Sequence, residues 1–424
     1  MTAMDRVWPV SATTSGGFVA GFSIRESLGH DSSHIESTGY WYAAFVTPQW
    51  AGTIAVMSAV IALAVLHSRR SRISTVVTIV LGSVIVALPS FAPIAANQAV
   101  TTNAIGAGVL VGVCGHIAAG RRIPAAGLAV GLLCSMQFYY AISALRAPRE
   151  GRWMESLGPM YVESTVPLLV LVVLTLLLAV AARRTPLHDF EGSDAVAVLV
   201  LAFACLVVYT YSGNTTSTVG MWIFAVSIVV FLAYGTARSL DGRDGRYLLS
   251  GLAIAASGVS ALGWSDASWW VFALAVVLFV ASVWLGLRRA SSTVALGMLA
   301  AVTATGLIPA GDDAVNIVGT VAYCALYPVA LGLIVGSMQP SRTVASTITP
   351  LVPFAVTLFS VSAPVPPRVF GWSDGTPDDY VRPIVWLYSP LPVGVVVAVL
   401  VVVGCLVAVR HREHHDRVSD SSGP

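Results

Sequence analysis

Long stretches free of Asp, Glu and Arg recur along the chain, and short polar stretches between them carry most of the charge. The charge-free windows are 50–66, 74–95, 101–118, 123–143, 165–182, 195–212, 218–236, 247–263, 268–287, 292–310, 314–337, 344–364 and 384–409. A helix needs about 20 apolar residues to cross the hydrocarbon core of a bilayer. These windows have that length and are continuous, not alternating, so they are not barrel strands. Backbone groups in lipid must be satisfied within their own segment, which a helix achieves. The pattern predicts an all-α fold: a polytopic transmembrane helical bundle of about 13 spans.

The N-terminal region leaves a choice. Residues 7–24 carry no charge for eighteen positions but are rich in Ser, Thr and Gly. In one reading residues 1–46 form an extracytoplasmic N-terminal segment, with the transmembrane bundle over 47–410 and a cytoplasmic tail over 411–424. In the other, 7–24 is an extra weak span, which makes 14 and puts both ends in the cytoplasm.

Arginine sets the orientation, because cytoplasmic loops carry an excess of basic residues. All 23 basic residues are Arg. With 67–73 inside, 16 of them fall on the cytoplasmic side and 7 outside, and every second loop carries the bias. The C-terminus is therefore expected in the cytoplasm and the chain in the plasma (inner) membrane. Trp41, Trp50, Trp153, Trp222, Trp264, Trp269, Trp270, Trp372 and Trp386 all lie at predicted outer ends, the headgroup level that indole prefers.

Composition narrows the class. The chain is 56% hydrophobic and 10% charged, with a mean hydropathy of +0.80, where soluble domains run near a quarter charged. A soluble enzyme, a disordered chain and a nucleic-acid binder are excluded. The net charge of +2 offers no lure for a phosphate backbone. The expected surrounding partner is the lipid bilayer.

Cys114, Cys134, Cys205, Cys324 and Cys405 sit singly within apolar windows, so neither a disulfide framework nor a zinc site is expected. Phosphate-loop, dinucleotide, nucleophile-elbow and zinc-protease motifs are absent. No cofactor is expected, and any use of ATP would need a separate ATPase. No repeat rises above the hairpin period of a helical bundle.

Candidate chemistry is sparse. His116 is the titratable group, thiols and phenols apart, that lies within a window, and an interfacial histidine accounts for it. Prolines interrupt several windows: Pro89 and Pro93, Pro328, Pro350 and Pro353, and Pro390 and Pro392. Proline frees a carbonyl four residues back, and broken helices often line transporter sites. Acids gather outside in three places: around His30 and His34 with Glu26, Asp31 and Glu36; at Asp312 and Asp313; and at Asp374, Asp378 and Asp379.

The outer loop 365–383 is long, and long loops in compact domains are usually functional or disordered. It mixes Pro366 and Pro367 with Phe370, Trp372 and Tyr380. A binding site is expected there, with Trp372 stacking on a ligand and Asp374, Asp378, Asp379, Asp312 and Asp313 as acidic partners. No metal is assigned, since the spacing fits no calcium loop.

The expected function is that of a permease-like protein moving a weakly charged or lipidic solute, alone or with a separate ATPase, and not an enzyme. The alternatives are an extracytoplasmic glycosyl or group transferase using a lipid-linked donor, working with envelope-assembly proteins, and a non-catalytic membrane subunit.

Overall fold

The computed structural model describes residues 3–29, 50–69, 71–92, 96–146, 166–183, 192–214, 219–240, 242–258, 269–289, 291–308, 318, 321–356 and 392–421. The described residues are almost all helical, with no strand among them. The helices are α1 (Ala3–Gly29), α2 (Ala51–Arg69), α3 (Arg72–Ala87), α4 (Ala96–Ala118), α5 (Arg122–Arg146) and α6 (Leu168–Ala182). They continue with α7 (Gly192–Asn214), α8 (Val219–Ser239), α9 (Gly242–Ser257), α10 (Trp269–Arg289), α11 (Ser292–Ala304) and α12 (Tyr327–Ser337). The short helices α13 (Thr343–Ile348) and α14 (Val352–Ala355) precede the long α15 (Pro392–Ser421). Each predicted window falls on a helix in whole or in part.

Six helical stretches are long and apolar enough to cross a membrane among the described residues: Ala51–Arg69, Arg72–Ser90, Gln98–Ala118, Trp222–Ser239, Val271–Arg288 and Val393–His414. Their outward faces are apolar as well. On α3, Ile73, Val77, Leu81 and Val84 are exposed, and on α6, Leu169, Val172, Val173 and Leu176. Contiguous apolar surface of this extent is unstable against water and natural against acyl chains. The protein is a multi-pass helical membrane protein.

Proline shapes the helix ends the sequence flagged. Pro89 sits in the 3-10 turn Leu88–Ser90 that closes α3. Pro392 opens α15, where a missing N–H costs nothing. Ahead of Pro328 the ladder loosens into the π turn Ala322–Leu326, the local adjustment that a lost donor requires. Gly120 ends α4 with a φ of 67°, a left-handed conformation that glycine adopts without penalty.

Two hydrophobic cores form. The first joins α1 to α6 with α7 and the segment 343–355. The second joins α8 to α12 and α15 with one face of α5 and part of α7. One face of α1 lies in the first core, with Ala12, Ala20 and Ile24 fully buried. Thr13 Oγ1 donates to the Pro124 carbonyl at 2.9 Å near the start of α5, and the Phe22 and Tyr139 rings meet 5.2 Å apart further along both helices. Thus α1 runs parallel to α5 and begins on the face that carries Arg121 and Arg122.

The helix partners repeat. α2 packs on α4 as α10 packs on α12, α3 on α4 as α11 on α12, and α3 on α6 as α11 on α15. Likewise α1 packs on both α5 and α6, while α9 packs on both the 343–355 segment and α15. Several pairings thus recur at the two ends of the chain, although α1 also packs on α4 without a comparable pairing of α9 with α12, and α7 and α8, packed on each other, come between them in sequence. No repeat is legible in the sequence, because a shared packing plan needs only apolar faces of the same shape.

Candidate functional site

The segment 343–356 lies between the two cores and touches α2, α4, α5, α7 and α9. Pro350 and Pro353 have no N–H to give, so the helix breaks into α13, a 3-10 turn at Thr349–Leu351, and α14. Val344 to Val356 are buried apart from the partly exposed Pro353. Three glycines let the segment in. A Cβ on Gly52 of α2 would strike the Phe354 carbonyl, one on Gly115 of α4 the Thr347 side chain, and one on Gly251 of α9 the Thr349 carbonyl. Backbones approach this closely only where a side chain is missing.

Charge gathers at the foot of this segment. Asp244, in the first turn of α9, is fully buried. Its carboxylate accepts from the Ser341 N–H at 2.7 Å, the Ser341 hydroxyl at 2.6 Å and the Arg342 N–H at 3.3 Å. Asp194, in the first turn of α7, accepts from Arg342 Nη1 at 2.7 and 2.8 Å. Arg342 Nε lies 3.9 Å from Asp244. The free N–H groups and positive pole ahead of α13 favour an anion, and Asp244 supplies it from another helix. A carboxylate out of water persists only when paired and hydrogen-bonded in this way.

A second tie lies on the same face. Glu413 of α15 sits 3.9 Å from Arg246 and accepts from the Ser292 hydroxyl. Gly245 packs against the Ala237 carbonyl and the Arg412 guanidinium, so a side chain there would part α8, α9 and α15. The starts of α7, α9, α11 and α13, the end of α8 and the charged part of α15 thus meet on one face.

An apolar cleft opens above the charged foot, between α7, α8, α9 and the broken segment. It is a narrow crevice with room for about one water-sized group, and Val198, Cys205, Ala233, Leu252, Ile348 and Val356 are among its lining residues. Its apolar walls offer nothing to orient a polar group.

The six residues predicted to bind, Trp372, Asp374, Asp378, Asp379, Asp312 and Asp313, lie outside the described residues, as do His30 and His34. His116 is half-buried near the C-terminal end of α4. All five cysteines are free thiols. No group of three or more His, Cys, Asp or Glu side chains could hold a metal ion among the described residues. Sequence reasoning misses Asp194, Asp244, Ser341 and Arg342. A signal is present: two of the inside carboxylates fall at helix starts, where loops are otherwise basic. Nothing in the chain order says that both face Arg342.

No family model matches the chain, and no curated protein matches it in sequence. Among solved structures, a crystal structure of a double tryptophan mutant of XylE is 12% identical, covering 96% of this chain and 94% of its own, with a TM-score of 0.38. A likeness at that score decides neither fold nor function. The class stands on the helices themselves: a multi-pass membrane protein with a broken helix at its centre.

Proposed function

We propose that the protein is a permease that moves a weakly charged or lipidic solute by rocking its two six-helix units about the broken segment. The observation that carries this reading is the recurrence of several helix pairings between α1–α6 and α9–α15. Parallel repeats joined at a central seam are one plan of secondary transporters, whose sites lie near the midplane and use discontinuous helices. The broken segment 343–356 lies between the two cores. Two facts favour solutes of low charge: the windows hold no Asp, Glu or Arg, and the cleft beside the segment is apolar.

In this reading α1 is a true span. It makes fourteen crossings and puts both ends of the chain on the arginine-rich, cytoplasmic face. The Asp194–Arg342–Asp244 cluster then holds the inner end of the seam, and Trp372, Asp374, Asp378 and Asp379 are proposed to take part in solute entry from the outer face.

The test is flux. Cells lacking the protein and cells overproducing it are compared for accumulation of small molecules, and a solute that differs is followed into proteoliposomes without nucleotide. Protein-dependent flux without ATP is expected. Flux that appears only with a partner ATPase and ATP would replace the rocking model with an ATP-driven one. A change confined to envelope polysaccharide would favour the transferase.

A further inference from the structure

Gln137 of α5 is 6% exposed, and neither its side-chain oxygen nor its nitrogen has a hydrogen-bond partner. In a membrane interior no bulk water repairs such a loss, and an unsatisfied amide is costly. Native structures leave few such groups, and each asks for a cause.

Its position supplies one. Ala126, Val130, Leu133 and Gln137 succeed one another at helical spacing along one face of α5. Ala126 and Leu133 belong to the second core, and Val130 packs against it. The other face, with Leu128, Leu132 and Tyr139, belongs to the first core beside α1. Gln137 therefore lies on the face that the first six-helix unit turns toward the second.

Thr349 lies on the broken segment, which packs between the two cores. It is 2% exposed, its hydroxyl has no partner, and its turn, Thr349–Leu351, packs on α5. Its neighbour Thr347 shows the usual remedy for a helical threonine, donating to the Thr343 carbonyl at 2.8 Å. Thr349 does not use it.

We propose that Gln137 and Thr349 mark a binding site at the seam for an uncharged polar solute bearing hydroxyl or amide groups. A glutamine amide offers donors and an acceptor without charge, and a hydroxyl does the same. The two windows that carry these groups, 123–143 and 344–364, contain no Asp, Glu or Arg to pair with an ion. This deepens the permease reading by naming the class of solute, and it rests on that reading only for the transport step after binding.

The test uses the purified full chain in lipid nanodiscs, with thermal unfolding as the readout. The probes are glucose, glycerol, urea and acetamide, with acetate and methylammonium as charged counterparts. At least one uncharged probe should raise the Tm of the unaltered protein, and Gln137→Leu should lose that shift. Without a probe, Gln137→Leu should unfold at a higher temperature than the parent, because an orphaned amide has been replaced by an apolar group. Gln137→Met serves in its place where the leucine variant does not fold.

Any of three results overturns the site: no uncharged probe shifts the parent, the shift survives in the leucine or methionine variant, or the variant alone unfolds at a lower temperature. A Gln137-dependent shift by acetate or methylammonium overturns the solute class. Flux measured separately in proteoliposomes reports on the permease reading, so absent flux with binding intact would remove the permease and leave the site.

Discussion

The carboxylate of Asp244 takes both the backbone N–H and the hydroxyl of Ser341, at 2.7 and 2.6 Å, across 97 residues of sequence. One side chain thus caps the broken segment from the first turn of α9. The same carboxylate draws Arg342 close, and Arg342 in turn holds Asp194. Three helix starts are tied by four residues, with Asp244 fully removed from solvent.

Removing one member of such a cluster leaves the others buried and unmatched, which costs about 3–5 kcal/mol. Asp244→Ala should therefore lower the unfolding temperature of the detergent-purified protein strongly. Asp244→Asn, which keeps one acceptor oxygen, should do so less. In a double-mutant cycle, Asp194→Ala and Arg342→Ala should be non-additive, since the two side chains pair directly. Additive losses would show that the pair contributes nothing as a unit.

Gly115 should not tolerate a side chain. Its Cβ would meet Thr347, which is buried on the broken segment. Gly115→Val should reduce the yield of monodisperse protein on size exclusion, whereas Gly404→Ala, with open space around it, should be neutral. Overpacking a tight core costs about 1–3 kcal/mol. Rescue of Gly115→Val by Thr347→Ala would locate the clash.

The parallel course of α1 and α5 predicts the side of the N-terminus. Reporters fused ahead of Ala3 and after Ser421 should both read as cytoplasmic, and a reporter within 365–383 should read as external. An external signal from the first fusion, with a cytoplasmic one from the second, would restore the thirteen-span arrangement with residues 1–46 outside.

The outer loop carries its own prediction. If Asp374, Asp378 and Asp379 take part in solute entry, a triple Asn variant should express like the parent and lose the flux or the deletion phenotype. A variant equal to the parent in both would make the loop an inert lid whose aromatics anchor it at the membrane surface.

Residue order alone makes the class and most of the elements legible. Charge-free windows of membrane length leave a chain no other way to satisfy its backbone in lipid than to form helices. Each arginine pair at a window's edge marks a boundary that can be read without any tertiary contact. Everything that depends on which faces meet belongs to the packed fold. Packing puts Ala12 to Ile24 of α1 against the first core: a Ser-, Thr- and Gly-rich stretch reads as weakly apolar, yet it packs closely because its side chains are small. Packing matches α1–α6 with α9–α15, a likeness of shape that leaves no trace in residue identity. It joins Asp194, Asp244 and Arg342, and it leaves Gln137 unpaired at the seam. Partnership in a buried polar group is a property of the surrounding helices, and no local pattern of residues encodes it.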